Sequence, residues 1–134
     1  MIGFYFGRHP IVGCVFYERA LENATAIAAA EIAVDKIDGP VLLISSTDDQ
    51  MWPSTRLSEM AIERLKAHDH PFPYEHLHYE GTGHMITLPN SEPPPSWASR
   101  YEVGGTREAN EFANADSWTK VLGFLEKHLM QRSS

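Results

Sequence analysis

The chain has a single cysteine, Cys14, among 134 residues. One thiol cannot form an internal disulfide, so the fold must hold without covalent staples, and a reducing, cytoplasmic setting is the expectation. Basic residues are scarce as well: Lys and Arg number 11 against 18 Asp and Glu, for a net charge of −7. Phosphate backbones are bound by clustered cations. No such cluster is present, so nucleic acid is not an expected partner. No apolar run approaches the roughly 20 residues of a membrane span. Residues 1–10, MIGFYFGRHP, lack a basic stretch followed by a long apolar one, so no secretory signal is expected. The final Gln131-Arg132-Ser133-Ser134 is not one of the common address signals.

What is present is a globular composition, with 43% hydrophobic residues, too rich for a disordered chain. The length fits one domain or part of a larger one, taken here as a single partial domain over residues 1–134. Residues 1–17 are aromatic and β-branched, interrupted by His9-Pro10 and Gly13, and suggest a short strand or an extended arm. Residues 18–34 are rich in Ala, Glu and Leu and predict a helix. Asp38-Gly39-Pro40 marks a turn. The short apolar run 41–46, VLLISS, predicts a strand buried on both faces, with Pro40 where a strand can begin without losing a ladder bond. Leu57, Met60, Ala61 and Leu65 recur on one face of a helix over 54–68, with Ser54 as its N-cap. Residues 74–79, YEHLHY, alternate as a second strand. A proline-rich loop begins at residue 89 and extends to about 105. Residues 116–130 predict a last helix capped by Asp116, with Trp118, Val121, Leu122, Leu125 and Leu129 as its apolar stripe. Strands alternating with helices imply an α/β fold with a small, mostly parallel sheet. So small a sheet leaves edges exposed.

Two motifs carry chemistry. In Thr47-Asp48-Asp49-Gln50-Met51-Trp52-Pro53, two carboxylates follow the C-terminal end of the first strand, the end at which open α/β sheets bind ligands. Adjacent carboxylates repel, so one is expected to face a site and the other solvent or a helix N-terminus. By itself the stretch reads more readily as an acidic helix-capping loop. In Gly81-Thr82-Gly83-His84, a histidine ends a glycine-rich turn after the second strand, and by itself reads as an exposed loop histidine. Together, Asp49 and His84 lie at the same end of the sheet. An imidazole acts as a general base when a carboxylate on its other nitrogen fixes its tautomer. The order acid then histidine is that of the last two members of an α/β-hydrolase triad.

Residues 34–86, VDKIDGPVLLISSTDDQMWPSTRLSEMAIERLKAHDHPFPYEHLHYEGTGHMI, resemble the C-terminal catalytic domain of acyl-CoA thioesterases and bile acid-CoA:amino acid N-acyltransferases. Gly104-Gly105-Thr106 and the DSWTKVLGFLEKHL segment resemble the end of the same domain, so the likeness covers roughly residues 34–130. The resemblance implies the C-terminal portion of an α/β-hydrolase, with Asp49, four residues before Pro53, as triad acid and His84 as triad histidine. Relatives usually carry Gly where this chain has Ser46, and residues 1–17 match poorly. The family's nucleophile, Ser or Cys in a Gly-x-Ser/Cys-x-Gly elbow, has no counterpart here. Cys14, in Val12-Gly13-Cys14-Val15-Phe16, lacks the second glycine. Val15 and Phe16 suit a strand better than an elbow, and Cys14 reads as a small buried hydrophobe.

The resemblance implies an acyl-CoA thioester as substrate of the complete enzyme, and the chain alone is expected to be inactive. Hydrolysis is expected over transfer to an amine, because water is always available. Other readings are a dienelactone-hydrolase-like or peptidase-like fragment, and a non-catalytic chain assembled as a homo-oligomer through its open sheet edge. No cofactor is expected. The pairs His68/His70 and His76/His78 are spaced i, i+2, and on a strand His76 and His78 would share a face, but a zinc site needs three or four convergent ligands, so no metal is expected either. Trp52, Trp97 and Trp118 are read as packing residues, with an acyl-pocket wall as the other role for Trp97.

Overall fold

The computed structural model describes residues 10–87 and 96–129, with the backbone alone at 97 and 98. Its centre is a strand–helix–strand unit. Strand β1, Val41–Ser46, starts directly after Pro40, and strand β2 is Tyr74–Tyr79. The strands pair in parallel, with Val41 opposite Tyr74 and Ser46 opposite Tyr79. Two parallel neighbours require a crossover, and helix α3, Ser54–Ala67, provides it. Its apolar side packs inward at Leu65, which has no exposed surface. Helix α4, Arg107–Leu129, also packs against both strands. Because side chains alternate across a strand, the helices divide the faces. Thr55 of α3 meets Ser45 on one side, and Asp116 of α4 meets Tyr79 on the other. The result is the small parallel α/β sheet expected from the sequence.

Ser54 does not cap α3. Its hydroxyl bonds both the N–H and the C=O of Ser46 at 3.2 Å, and the Thr55 hydroxyl donates to the same carbonyl. These bonds tie the start of α3 to the end of β1.

The predicted helix over 18–34 is broken in two. Helix α1 is Cys14–Ala20 and helix α2 is Ala24–Ala30. Asn23 stands between them in an extended conformation, and its side chain accepts the Ala26 N–H at 3.0 Å. An asparagine stabilises a helix start better than a helix interior, which outweighs the Ala-rich propensity around it. The expected arm over 1–17 is also revised. Ile11 forms one bridge to Tyr101, while Cys14, Val15, Phe16 and Tyr17 are helical; residues 1–9 lie outside the described residues.

The last helix starts nine residues before the predicted Asp116. Thr106 takes the capping role, its hydroxyl accepting the Ala109 N–H at 3.1 Å. Asp116 lies inside the helix, accepts the Tyr79 hydroxyl at 2.7 Å and pairs with Lys120. Nor is the expected apolar stripe the buried one. Ala113, Ser117 and Phe124 are buried, whereas Leu122, Leu125 and Leu129 are exposed. Small side chains let α4 approach the two strands closely, and the leucines then extend past the sheet. Within the predicted 89–105 loop, Ser96–Arg100 form a 3-10 turn. Residues 88–95 and the Trp97 side chain, with its expected packing role, lie outside the described part.

A second 3-10 turn, Val34–Lys36, precedes β1. Arg64 on α3 holds it by bonding Asp35 and, at 2.6 Å, Glu31. The hydrogen bond from Arg64 keeps the Asp35 carboxyl below the usual carboxylate range.

Candidate active site

Both strands end on the same side of the sheet, and the segments that leave them meet. Asp49, three residues past β1, is 8% exposed. Its Oδ1 accepts the N–H groups of Met51 at 2.9 Å and Trp52 at 3.2 Å. Its Oδ2 lies 3.1 Å from His84 Nδ1. The carboxylate thus closes its own turn with one oxygen and holds the imidazole with the other. An ionised carboxylate only accepts hydrogen bonds, so this contact favours, in the neutral ring, the tautomer with the proton on Nδ1 and the lone pair on Nε2, across the ring. The His84 side chain is 17% exposed and that of Asp49 only 3%. This pair is screened from bulk water on the carboxylate side and reachable on the imidazole side.

Asp48, the other carboxylate, is half-buried and turns to the segment that enters α4. Its Oδ2 accepts the Gly105 N–H and its Oδ1 the Gln50 side-chain amide, both at 2.7 Å. It therefore fixes the 103–105 segment against the end of β1. That segment passes next to the histidine turn, and Val103 O accepts the His84 N–H at 2.7 Å. The approach requires glycine. A Cβ on Gly83 would overlap the Gly104 carbonyl, and one on Gly104, whose φ is +70°, would overlap the Asp48 carbonyl.

The strand and helix faces supply further ties. The buried Ser46 hydroxyl donates to Gly83 O at 2.8 Å. Asn110 Oδ1 accepts the Gly83 N–H at 2.9 Å, and Asn114, one helical turn on, accepts the Thr87 N–H at 2.8 Å. Of these three residues only Ser46 stands out in the sequence, as a departure from the glycine usual in relatives; for the other two the available signal is a pair of asparagines at i, i+4 inside a helix, where their intrinsic propensity is poor.

Trp52 has a more specific place than general packing. Its ring stands edge-on to His84, centroids 4.4 Å apart at 90°, and Tyr17 packs on it in turn at 6.3 Å. Beside it runs a groove of about 570 Å³ lined by Ile11, Phe16, Tyr17, Met51, Trp52 and Tyr101. Its position in the Asp-Asp-Gln-Met-Trp-Pro stretch, three residues past Asp49, is the sequence signal. Cys14 lies at the first turn of α1 and its Sγ approaches Gln50 Oε1 at 3.8 Å. Its backbone N–H donates to Gln50 O. It is half-buried, and among the described residues no strand leads into it as an elbow would require.

The other histidines are spread out. His76 and His78 share the sheet face under α3, rings 5.8 Å apart, and converge on Ser45 Oγ at 2.7 and 3.5 Å. Burial, with the nearby His78, holds His76 below the ordinary histidine range. Among the described residues no group of three His, Cys, Asp or Glu is arranged to hold a metal ion, and no helix is long and apolar enough to cross a membrane.

The family described as BAAT / acyl-CoA thioester hydrolase C terminal matches residues 11–131. The chain is 36% identical over 110 residues to acyl-coenzyme A thioesterase 6 of Homo sapiens, covering 77% of this chain and 25% of that protein. It is 35% identical over 105 residues to the peroxisomal succinyl-coenzyme A thioesterase of Mus musculus, covering 73% and 24%. It is 32% identical over 110 residues to acyl-coenzyme A amino acid N-acyltransferase 1 of Mus musculus, covering 77% and 26%. The matched part is thus about a quarter of each relative's length. The chain belongs to the BAAT / acyl-CoA thioester hydrolase C-terminal family.

Proposed function

We propose that this chain supplies the acid and the histidine of an acyl-CoA thioester hydrolase, or of an acyl-CoA:amino acid N-acyltransferase, whose nucleophile comes from outside these 134 residues. The observation that carries the reading is the contact between His84 Nδ1 and Asp49 Oδ2, 3.1 Å long, with the second carboxylate oxygen already held by backbone N–H groups. In this reading His84 Nε2 takes the proton from the nucleophile as that group bonds to the thioester carbonyl carbon. The C–S bond then breaks, and the CoA sulfur leaves with that proton. Nε2 next takes a proton from water, or from an amine, as it attacks the acyl-enzyme, and returns it to the nucleophile. Asp49 keeps the ring in the productive tautomer and stabilises the imidazolium formed in between.

The groove beside Trp52 suits the acyl portion. Its lining residues are apolar or aromatic and none carries a charge, so it offers no cation to the phosphates of the nucleotide end. Alone, without a Ser or Cys elbow, the chain has no group to form the acyl-enzyme, and it should not turn over acyl-CoA.

The test is a chimera in which this chain replaces the matching C-terminal quarter of the Mus musculus succinyl-coenzyme A thioesterase. The expected result is thioesterase turnover that falls by about 10⁶-fold on His84→Ala, to the residual level that binding and oxyanion stabilisation sustain. A folded chimera whose turnover is indifferent to His84→Ala overturns the proposal.

A second reading has its own observation. Among the described residues β1 has a strand neighbour on one side only, and the exposed Leu122, Leu125 and Leu129 line one side of α4. An open strand edge together with an apolar strip is suited to a second copy of the chain.

A further inference from the structure

The residue before His84 is held on both of its polar groups by side chains from different elements. Gly83 N–H donates to Asn110 Oδ1 of α4 at 2.9 Å, and Gly83 C=O accepts from the buried Ser46 hydroxyl of β1 at 2.8 Å. We infer that Ser46 and Asn110 form a two-sided clamp on Gly83 that sets the position of the His84 imidazole, which makes both of them positioning residues for the proton-transfer site. This rests on the proposed role of His84.

Gly83 itself cannot hold the turn, because glycine has the widest backbone freedom of any residue. Yet the imidazole has to meet Asp49 Oδ2 with its Nδ1, and backbone rotation one residue upstream would swing the ring out of reach. Side-chain packing supplies only part of the restraint: Trp52 touches the ring on an edge, and Trp52 is itself 40% exposed. The backbone restraint is more complete. The N–H and C=O of Gly83 and the N–H of His84 each have a partner, on α4, on β1 and at Val103 respectively. Asn114 repeats the arrangement downstream by accepting the Thr87 N–H at 2.8 Å, one helical turn from Asn110. The histidine is therefore tied on both flanks to one face of α4.

Ser46 has a particular place in this clamp. At β1's last position its own N–H and C=O are taken by Ser54 and Thr55, so β1, α3 and the histidine turn meet at one residue. A glycine there would leave the Gly83 carbonyl buried without that donor. A buried acceptor stripped of its partner loses more than the bond's net worth, so the turn would be expected to move and find another donor.

The experiment uses the 134-residue chain, labelled with ¹⁵N, in wild-type form and as Ser46→Ala, Asn110→Leu and Asn110→Asp. Two quantities are read: the His84 Nδ1–H resonance, and the hydrogen-exchange rates of the Gly83 and His84 amides. The expectation is that Ser46→Ala and Asn110→Leu weaken or broaden the Nδ1–H signal and speed exchange at these two amides by about tenfold. Amides of β2 and the centre of α3 should keep their wild-type rates. Asn110→Asp keeps the acceptor oxygen and should restore slow exchange at Gly83, a rescue that a general packing role would not produce. Unchanged signals in both disruptive variants, acceleration spread evenly over the whole chain, or Asn110→Asp behaving like Asn110→Leu would each overturn the clamp. A wild-type chain without the Nδ1–H resonance would instead count against the Asp49–His84 reading, while the amide rates would still decide the clamp.

Discussion

Trp52 lies edge-on against His84 at 4.4 Å, so the imidazole is held between an aromatic edge and the Asp49 carboxylate. Edge-to-face aromatic pairs contribute about 0.5–1.5 kcal/mol, and Trp52 is 40% exposed. Trp52→Ala should therefore cost about 1–3 kcal/mol in urea unfolding, from the two ring contacts and the lost apolar burial. It should also shift the His84 ring protons, because the indole ring current is removed. A well-folded variant with unmoved His84 resonances would show that the two rings do not meet in solution.

Two glycines should respond in opposite directions to the same substitution. Gly104 has φ +70° and no room for a Cβ beside the Asp48 carbonyl, whereas nothing lies within 4 Å of a Cβ on Gly123. Gly104→Ala should destabilise by at least about 2 kcal/mol. Gly123→Ala, inside α4, should stabilise by about 0.5–1 kcal/mol. Urea midpoints of the two variants check this, and Gly104→Ala should in addition disturb the His84 amide, which bonds neighbouring Val103 O.

Stability should fall on acidification in two stages. Burial depresses the His76 pKa, so the unfolded chain takes this proton first as pH drops below about 6.5. Stability from neutral His76 is present above that value and is lost as pH falls through the folded-state pKa. Asp35 and Asp116 are also depressed, by hydrogen bonds from Arg64 and from Lys120 and Tyr79 respectively. Their contribution is present above the ordinary Asp value of about 3.9 and is lost below it. Urea midpoints measured from pH 8 to pH 3 should show both declines, and His76→Gln should flatten the upper one. An unaltered upper slope in that variant would assign it to another group.

The exposed leucines of α4, together with β1, which among the described residues has a strand neighbour on one side only, should cause self-association. Light scattering is expected to show mass rising with protein concentration, and Leu122→Lys with Leu125→Lys should return the chain to monomer. Leu122 and Leu125 are 48% and 42% exposed, so the lysines can be placed without opening the core.

The parts legible in the sequence are those in which local pattern and tertiary role agree. VLLISS favours a strand and forms one, although its middle residues are half-buried rather than buried on both faces, the Leu57, Met60, Ala61 and Leu65 spacing marks one face of α3, of which Leu65 is buried and Leu57 exposed, and the two strands bring Asp49 and His84 to one end. The misreadings come from elsewhere. The break at Asn23 depends on one capping bond that Ala-rich propensity hides. The first turns of α4 have no apolar period, and their start depends on the Thr106 hydroxyl. Leu122, Leu125 and Leu129 carry the apolar period of α4 yet face outward, because close approach to a two-stranded sheet favours the small Ala113 and Ser117. The clamp on Gly83 involves residues 37 and 27 positions away in the chain, and no local pattern encodes such a contact.

The central claim is that Asp49 fixes His84 as a base, and the nitrogen bearing the imidazole proton tests it most directly. In the neutral ring, ¹⁵N spectra of the wild-type chain should show His84 protonated at Nδ1 and bare at Nε2, and Asp49→Asn should abolish that preference. A wild-type ring protonated at Nε2, or a tautomer unchanged by Asp49→Asn, would contradict the account.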